Sequence, residues 1–570
     1  MAQPPVDTTT PPSPAVSDSR RVAVCAKGAA ARLAECSQVQ IDAIVGAVAA
    51  AARIRVESFA QLAVEETGFG VVADKIQKNR FAAERVYEFI KPMRTVGVIR
   101  RDDARKVVEI AEPFGVVAAI VPSTNPTSTA IYKILISLKA RCPIVISPHP
   151  SAARCITQVA ETLAEAASRA GAPDGSVNWL TQVSLEGTQE LMRHRDVAVI
   201  LATGGMGLVR AAYSAGKPAY GVGPGNAPCF IERSADLAKA ASDILTGKSF
   251  DNGVLCSSPN SVVVESVVAD ETRRQFQAQG GYFLSPAEVD IVGKALVTPQ
   301  RLPNPKFVGK SAITLAKAMG LTVPEGTRAL IAELGGVGRE FPLSIEKLCP
   351  VLSYYVVADW QEGCERCKQI LRYGGMGHTM SIHSKNEPVI LEFGLKKPAF
   401  RICVNTPTTH GSIGLTTGLD PALTLGCGGF GGNITSDNIT PMHLLNIKRL
   451  AYEIRPASTG RPTPASALGP AATLAPLPQV ETPPADQGLS AAAVTSNVEA
   501  FLGGQSGEGP GSPAARPESV AEFVCESDVL KAIGQGTTIL IGERTIITPL
   551  ARDLGEAHRV LASSGWPTTP

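Results

Sequence analysis

From Gly115 to Ala215 the sequence changes its hydrophobic period repeatedly, and this alternation constrains the fold more than any other feature. GVVAAIV at Gly115–Val121 is a short continuous apolar run, of the kind buried on both faces of a sheet. Ile131, Ile134, Leu135 and Leu138 then recur at helical spacing, with Pro126 suited to a first helical turn. PIVIS reads as the next strand, Ser151 to about Ala170 as a helix, VNWLTQV and VAVILA as strands, and MGLVRAAYSA as a closing helix. Strands and helices alternating at these lengths imply a parallel sheet covered on both faces. The expected fold class is α/β with a nucleotide-type layout.

The chain of 570 residues is long enough for two or three packed domains. With 44% hydrophobic and 19% charged residues it has a globular composition, and its net charge of +2 argues against a nucleic-acid or membrane-surface partner. Its 12 cysteines are scattered without a paired framework, and MAQPPVDTTTPPSP has no apolar signal core. Together these predict a soluble cytoplasmic protein in a reducing compartment. The longest apolar stretches are too short to span a bilayer.

Composition divides the chain further. Residues 1–20 are Pro/Thr/Ser-rich and expected to be disordered, residues 21–455 form a globular body, and 456–517 form a Pro/Ala-rich linker. Residues 518–570 then make a tethered tail. In it Val520, Phe523, Val524, Leu530 and Ile533 predict an amphipathic helix ending at Gly534, and TTILIGERTIITP predicts a small hairpin around Gly542.

Several short motifs fail on context. GCGGFG at Gly426–Gly431 has dinucleotide-fingerprint spacing, but NITSDNITP follows it where a helix should, so it reads as a loop. The GKS triplets at Gly247–Ser249 and Gly309–Ser311 lack the earlier P-loop glycine, having Ser242 and Asn304 there. Cys364 and Cys367 form one CxxC without a second ligand pair, so no metal site is expected.

What remains is a set of loops. Cys256 in DNGVLCSSPN could be a nucleophile, a ligand or a small buried hydrophobe on local sequence alone. Asn125, in VPSTNPTSTA between a strand and a helix start, could donate a hydrogen bond to an oxyanion. ATGGMGLV places Gly204 and Gly205 where bare backbone can approach a phosphate, and GVGPGNAP is a third, rigid glycine-rich loop.

These segments, with SPHPSA, FDNGVLCSSPNSVVVE, EKLCPVLSYYVV and GCGGFGGNITSDNITPMHLLNIKRLAYEIR, resemble the CoA-acylating branch of the aldehyde dehydrogenase superfamily over about Ala111–Arg455. The resemblance implies a Rossmann-type cofactor domain over 21–223, a catalytic α/β domain over 224–423, and a return over 424–455. It also implies a β oligomerisation element, with a hairpin at about 93–110 and a strand near Ala451, and hence a dimer or tetramer.

On the same resemblance Cys256 is the nucleophile, and Asn125 forms the oxyanion hole with the Cys256 N–H. Thr203, Gly204 and Gly205 approach the pyrophosphate of NAD (or NADP). Glu346 meets the nicotinamide ribose, Ser147, Pro148 and His149 flank the adenosine end, and Val222 and Gly223 lie along the cofactor. Val222 stands where hydrolytic members carry the glutamate that activates water. Without that base, a CoA thiolate is the better acyl acceptor. The expected substrates are a short aldehyde and CoA. The alternatives are a hydrolytic or phosphorylating semialdehyde dehydrogenase, or a non-catalytic cargo or scaffold protein. The tail resembles encapsulation peptides, which implies shell-protein partners and a bacterial microcompartment lumen.

Overall fold

The computed structural model describes residues 12–455 and 521–563. The expected linker lies outside them. The expectation of disorder through residue 20 is corrected, because a helix spans Pro14–Ala34. Ser13 caps it by accepting the Val16 N–H at 3.4 Å, Pro14 opens its first turn, and Val16, Val22, Ala23 and Leu33 are buried. Proline and serine act here as start signals, and such a cap is worth about 1 kcal/mol.

By contact density the chain forms two compact units: residues up to Thr95 with Glu112–Asn446, and Val96–Ala111 with Ile447 onward. The second unit holds an antiparallel hairpin, β1 (Gly97–Asp102) and β2 (Val107–Pro113).

The first unit contains two parallel sheets. One comprises β3 (Val116–Val121), β4 (Ile144–Pro148), β5 (Val177–Trp179), β6 (Val197–Thr203) and β7 (Ala219–Val222), in the order β5-β4-β3-β6-β7. The chain enters at the centre, runs out to one edge, and returns to build the other. Neighbouring β3 and β6 therefore send their following loops to opposite sides, leaving a crevice at their carboxyl ends. Every residue of β3 and β4 is buried, which explains their unbroken apolar character.

The other sheet has seven parallel strands: β8 (Ala227–Ile231), β9 (Pro259–Glu265), β10 (Gly281–Phe283), β11 (Ala329–Glu333), β12 (Val351–Val357), β13 (Gly377–His383) and β14 (Ala399–Val404). Their order is β10-β11-β12-β9-β8-β13-β14. On one face Phe230 stacks on Phe393 with ring centroids 4.7 Å apart, beside Val263, Met380 and Ile382. The other face buries Val262, Val264, Leu352 and Tyr354 beneath the helix Leu237–Ser249.

The hairpin is completed by β15 (Leu445–Ala451), which lies beside β2. Arg449 Nε pairs with Glu109 at 3.1 Å across these strands.

The tail differs from its expected helix and hairpin. Ala521–Val524 is a strand (β16), the helix runs Glu526–Gln535, and Ile539–Ile547 is one strand (β17). A second helix, Pro549–Ala557, leads to β18 (Leu561–Ser563), and all three strands are parallel. The apolar positions of Ala521–Val524 satisfy either period, and pairing with β17 selects the strand. Gly542 marks an irregularity within β17 rather than a turn: Ala521 pairs with Ile541 but Phe523 with Ile546, and the Gly542 N–H donates to Thr545 Oγ1 at 2.8 Å. Val524, Val529, Ala532, Ile547, Ala551 and Val560 form the small core.

Candidate active site

The crevice at the carboxyl ends of β3 and β6 opens into a cavity of about 430 Å³. Asn125, Ser147, Pro148, His149, Thr203, Gly204, Gly205, Val222, Gly223, Cys256 and Glu346 all line it. Sequence separation reaches 221 positions (346 minus 125), so only the parallel-sheet crossovers bring them together.

Cys256 lies in the turn between the short helical stretch Phe250–Gly253 and β9, half-buried and reduced. Burial, followed by the charges of Glu346 and Cys427, pushes its thiol up to about 12, while the Arg401 guanidinium opposes the shift. The resting side chain is therefore a protonated thiol that must lose its proton on attack.

Glu346 is also buried and accepts the Gly225 N–H at 3.1 Å. Burial pushes its carboxyl up to about 8, against the Gly225 hydrogen bond and the ammoniums of Lys248 and Lys347. A Cβ on Gly225 would stand 2.0 Å from the Cys256 carbonyl oxygen and 3.3 Å from the His378 ring, so these three residues pack directly on one another.

His378 is the residue that the sequence reading passed over. It sits on β13 in GHTMSIH, where alternation makes a core position the ordinary reading. Its Nδ1 meets Thr379 Oγ1 at 2.9 Å, Nε2 has no hydrogen-bond partner among the described residues, and burial holds the imidazole neutral with its pKa lowered to about 3. A lone histidine between Gly377 and Thr379 was the available signal. His410 packs on Phe250 at 4.7 Å, and buried Arg141 donates to the Ala34 carbonyl at 2.6 Å; like these two, His378 does not line the cavity but packs behind it on Gly225.

Asn125 immediately precedes the helix Pro126–Lys139, which places its amide at the mouth of β3. Its Oδ1 accepts from Lys78 Nζ at 2.6 Å, and its Nδ2 lies 3.3 Å from Thr124 Oγ1. Lys78 and Lys75 both reach the fully buried Asp251, five positions before Cys256, Lys75 at 3.0 Å. Asp251 and Asn252 both have left-handed backbones (φ 48° and 53°). The Asp251 carboxylate also accepts the Val71 N–H at 2.7 Å. Gly70 is required at this approach, because a Cβ there would meet Asp251 Oδ1 at 1.9 Å.

A dinucleotide fits the opposite wall. The helix Met206–Tyr213 begins at Gly205 without a side-chain cap, leaving its first N–H groups to an anion. Buried Thr203 Oγ1 has no partner among the described residues, and nothing lies within 4 Å of a Cβ built on Gly205. Ser147 Oγ is held by Thr188 Oγ1 at 2.8 Å, and His149 Nδ1 accepts the Ser151 N–H at 3.1 Å, so both side chains are fixed at the cavity wall.

A crossover-connected parallel sheet, with a cysteine, an asparagine and an uncapped helix terminus lining one cavity at its carboxyl edge, places the chain among α/β proteins of nucleotide-binding layout. Residues 8–280 match the profile described as "Aldehyde dehydrogenase family". The bifunctional aldehyde-alcohol dehydrogenase of Escherichia coli (strain K12) is 43% identical over 430 residues, 75% of this chain and 48% of that protein. The chain thus spans about half the length of that relative. A crystal structure of an acetylating aldehyde dehydrogenase from Geobacillus thermoglucosidasius matches with 48% identity and a TM-score of 0.77, over 78% of this chain and 98% of that one. A propionaldehyde dehydrogenase from the Clostridium phytofermentans fucose utilisation bacterial microcompartment matches with 28% identity and a TM-score of 0.70, over 76% and 97%. The chain belongs to the aldehyde dehydrogenase family. No described helix is long and apolar enough to cross a membrane.

Proposed function

We propose that the protein oxidises a short aldehyde to its acyl-CoA with reduction of NAD. The observation that carries this reading is the single cavity shared by Cys256, Asn125 and Val222. Cys256 Sγ attacks the aldehyde carbon as its proton passes to solvent water, and the resulting oxyanion accepts from Asn125 Nδ2 and the Cys256 N–H. NAD, when bound, supplies the hydride acceptor, with Thr203, Gly204 and Gly205 at its pyrophosphate and Glu346 at its ribose. Loss of hydride leaves a thioester on Cys256. The CoA thiolate adds to its carbonyl, the same donors hold the second oxyanion, and Cys256 departs. Val222 contributes only apolar surface, so no carboxylate stands at its position to activate water. Preorganised oxyanion donors of this kind are each worth about 2.7–4 kcal/mol of barrier.

We further propose that residues 21–223 form the cofactor domain and 224–423 the catalytic domain. The sheet β1-β2-β15 would mediate dimer or tetramer formation. The tail 518–570 would deliver the enzyme to a microcompartment shell, supported by the microcompartment origin of one structural relative and by exposed Phe523 and Leu530. NADH formation from acetaldehyde or propionaldehyde, with and without CoA, in wild type and Cys256→Ala, tests the chemistry. CoA-independent turnover, or activity surviving the substitution, overturns it. Deleting residues from 456 onward should preserve turnover but leave a tagged enzyme diffuse, and unchanged co-localisation with shells would sink the targeting reading.

A further inference from the structure

The helix Val72–Arg80 carries Lys75 and Lys78 into the interior, where they are 1% and 3% exposed. Buried ammoniums are costly, and well-packed apolar residues could replace such a cluster without loss of stability. Their partners give a reason for retaining them. Lys75 donates to the Thr124 carbonyl at 3.2 Å and to Asp251, while Lys78 donates to Asp251 and to Asn125 Oδ1. Asp74 closes the cluster by accepting the Asp251 N–H at 2.7 Å.

An ammonium has only donors, so it admits only the oxygen end of the Asn125 amide. A flipped amide would set NH2 against NH3⁺. Holding Oδ1 therefore fixes which end of the amide faces the cavity, and the adjacent charge polarises the C=O so that its N–H groups become stronger donors. We propose that Lys78 is a positioning residue for the oxyanion, pinning Asn125 Oδ1 so that Nδ2 is presented to the carbon bound at Cys256, with Asp251 holding Lys78 in place. This deepens the reading above and rests on it. Asp251 belongs to the nucleophile's own loop, and Lys75 and the Val71 N–H continue to anchor it when Lys78 is removed, so the substitution acts on the donor amide and leaves the thiol in place.

A double-mutant cycle on the full-length enzyme tests this, with acetaldehyde, NAD and CoA as substrates. Asn125→Ala should lower kcat by about 10²–10³-fold. Lys78→Met should lower kcat by at least about tenfold while KM for aldehyde and NAD stays within about threefold. In the Asn125→Ala background Lys78→Met should cost less than about threefold more, because a residue acting through Asn125 has nothing left to position. Inactivation by iodoacetamide at Cys256 should proceed at the wild-type rate in Lys78→Met, which a general loosening of the 251–256 loop would change. An unchanged kcat in Lys78→Met, a loss that multiplies the Asn125→Ala loss, or an altered alkylation rate overturns the role of Lys78 alone. An unchanged kcat in Asn125→Ala overturns the oxyanion reading itself and the positioning role with it. Should Lys78→Met not fold, Lys78→Gln is measured by the same criteria.

Discussion

Gly225 and Cys256 touch through their backbones, so closely that a Cβ on the glycine would lie 2.0 Å from the cysteine carbonyl oxygen. The same glycine gives its N–H to Glu346. Gly225→Ala must therefore displace Cys256, Glu346, or both. Overpacking of this kind costs about 1–3 kcal/mol. Thermal unfolding should shift down accordingly, and kcat should fall more than the melting temperature implies. Wild-type kcat in Gly225→Ala would show that the contact is not needed for turnover.

The Cys256 thiol is pushed up to about 12. Below that value the thiolate fraction grows about tenfold per pH unit. In the absence of NAD, inactivation by iodoacetamide should accelerate by about that factor from pH 7 to 8 and again from 8 to 9, with no plateau. Cys256→Ala corrects for the other thiols when labelling is followed by mass. A plateau near neutrality would mean that a base already holds the proton.

Glu346 binds its proton more tightly in the fold, about 8, than its ordinary value of 4.5. A raised carboxyl contributes stability that is fully present below the unfolded value and lost as pH rises through the folded one. The wild type should therefore lose melting temperature relative to Glu346→Gln between about pH 5 and 9. Parallel curves would show that the carboxyl titrates normally.

Val222 is buried at the cavity wall, 2% exposed. Val222→Glu would place a carboxylate where water could be activated, at the cost of burying a charge. The ratio of CoA-independent to CoA-dependent NADH formation should rise by at least about tenfold. An unchanged ratio would locate the preference for CoA elsewhere.

Much of this was legible in the sequence because strands such as GVVAAIV carry their burial in their composition, and because loops at strand ends show their chemistry in glycine and asparagine. The cluster beneath Asn125 was not. VADKIQKNR has the composition of a solvent-facing helix, and nothing local says that Asp251, 173 positions beyond Lys78, will neutralise it. His378 was hidden for the converse reason, since a strand interior gives no sign that one imidazole nitrogen will lack a partner. The tail failed on period, because four apolar-rich residues fit strand and helix alike until pairing decides.

The left-handed turn at Asp251 and Asn252 has a consequence for how activity is acquired. Asp251 can surrender its hydration only once both lysines of a segment far upstream have arrived, and Gly70 must already be clear of its carboxylate. A chain in which Val72–Arg80 is not seated keeps Cys256 but lacks the ammonium that holds Asn125 Oδ1, so on the proposed chemistry its donor amide is unfixed. On the proposed chemistry, activity depends on a contact between positions 173 apart in the sequence, so damage to a remote segment can silence the site without touching it.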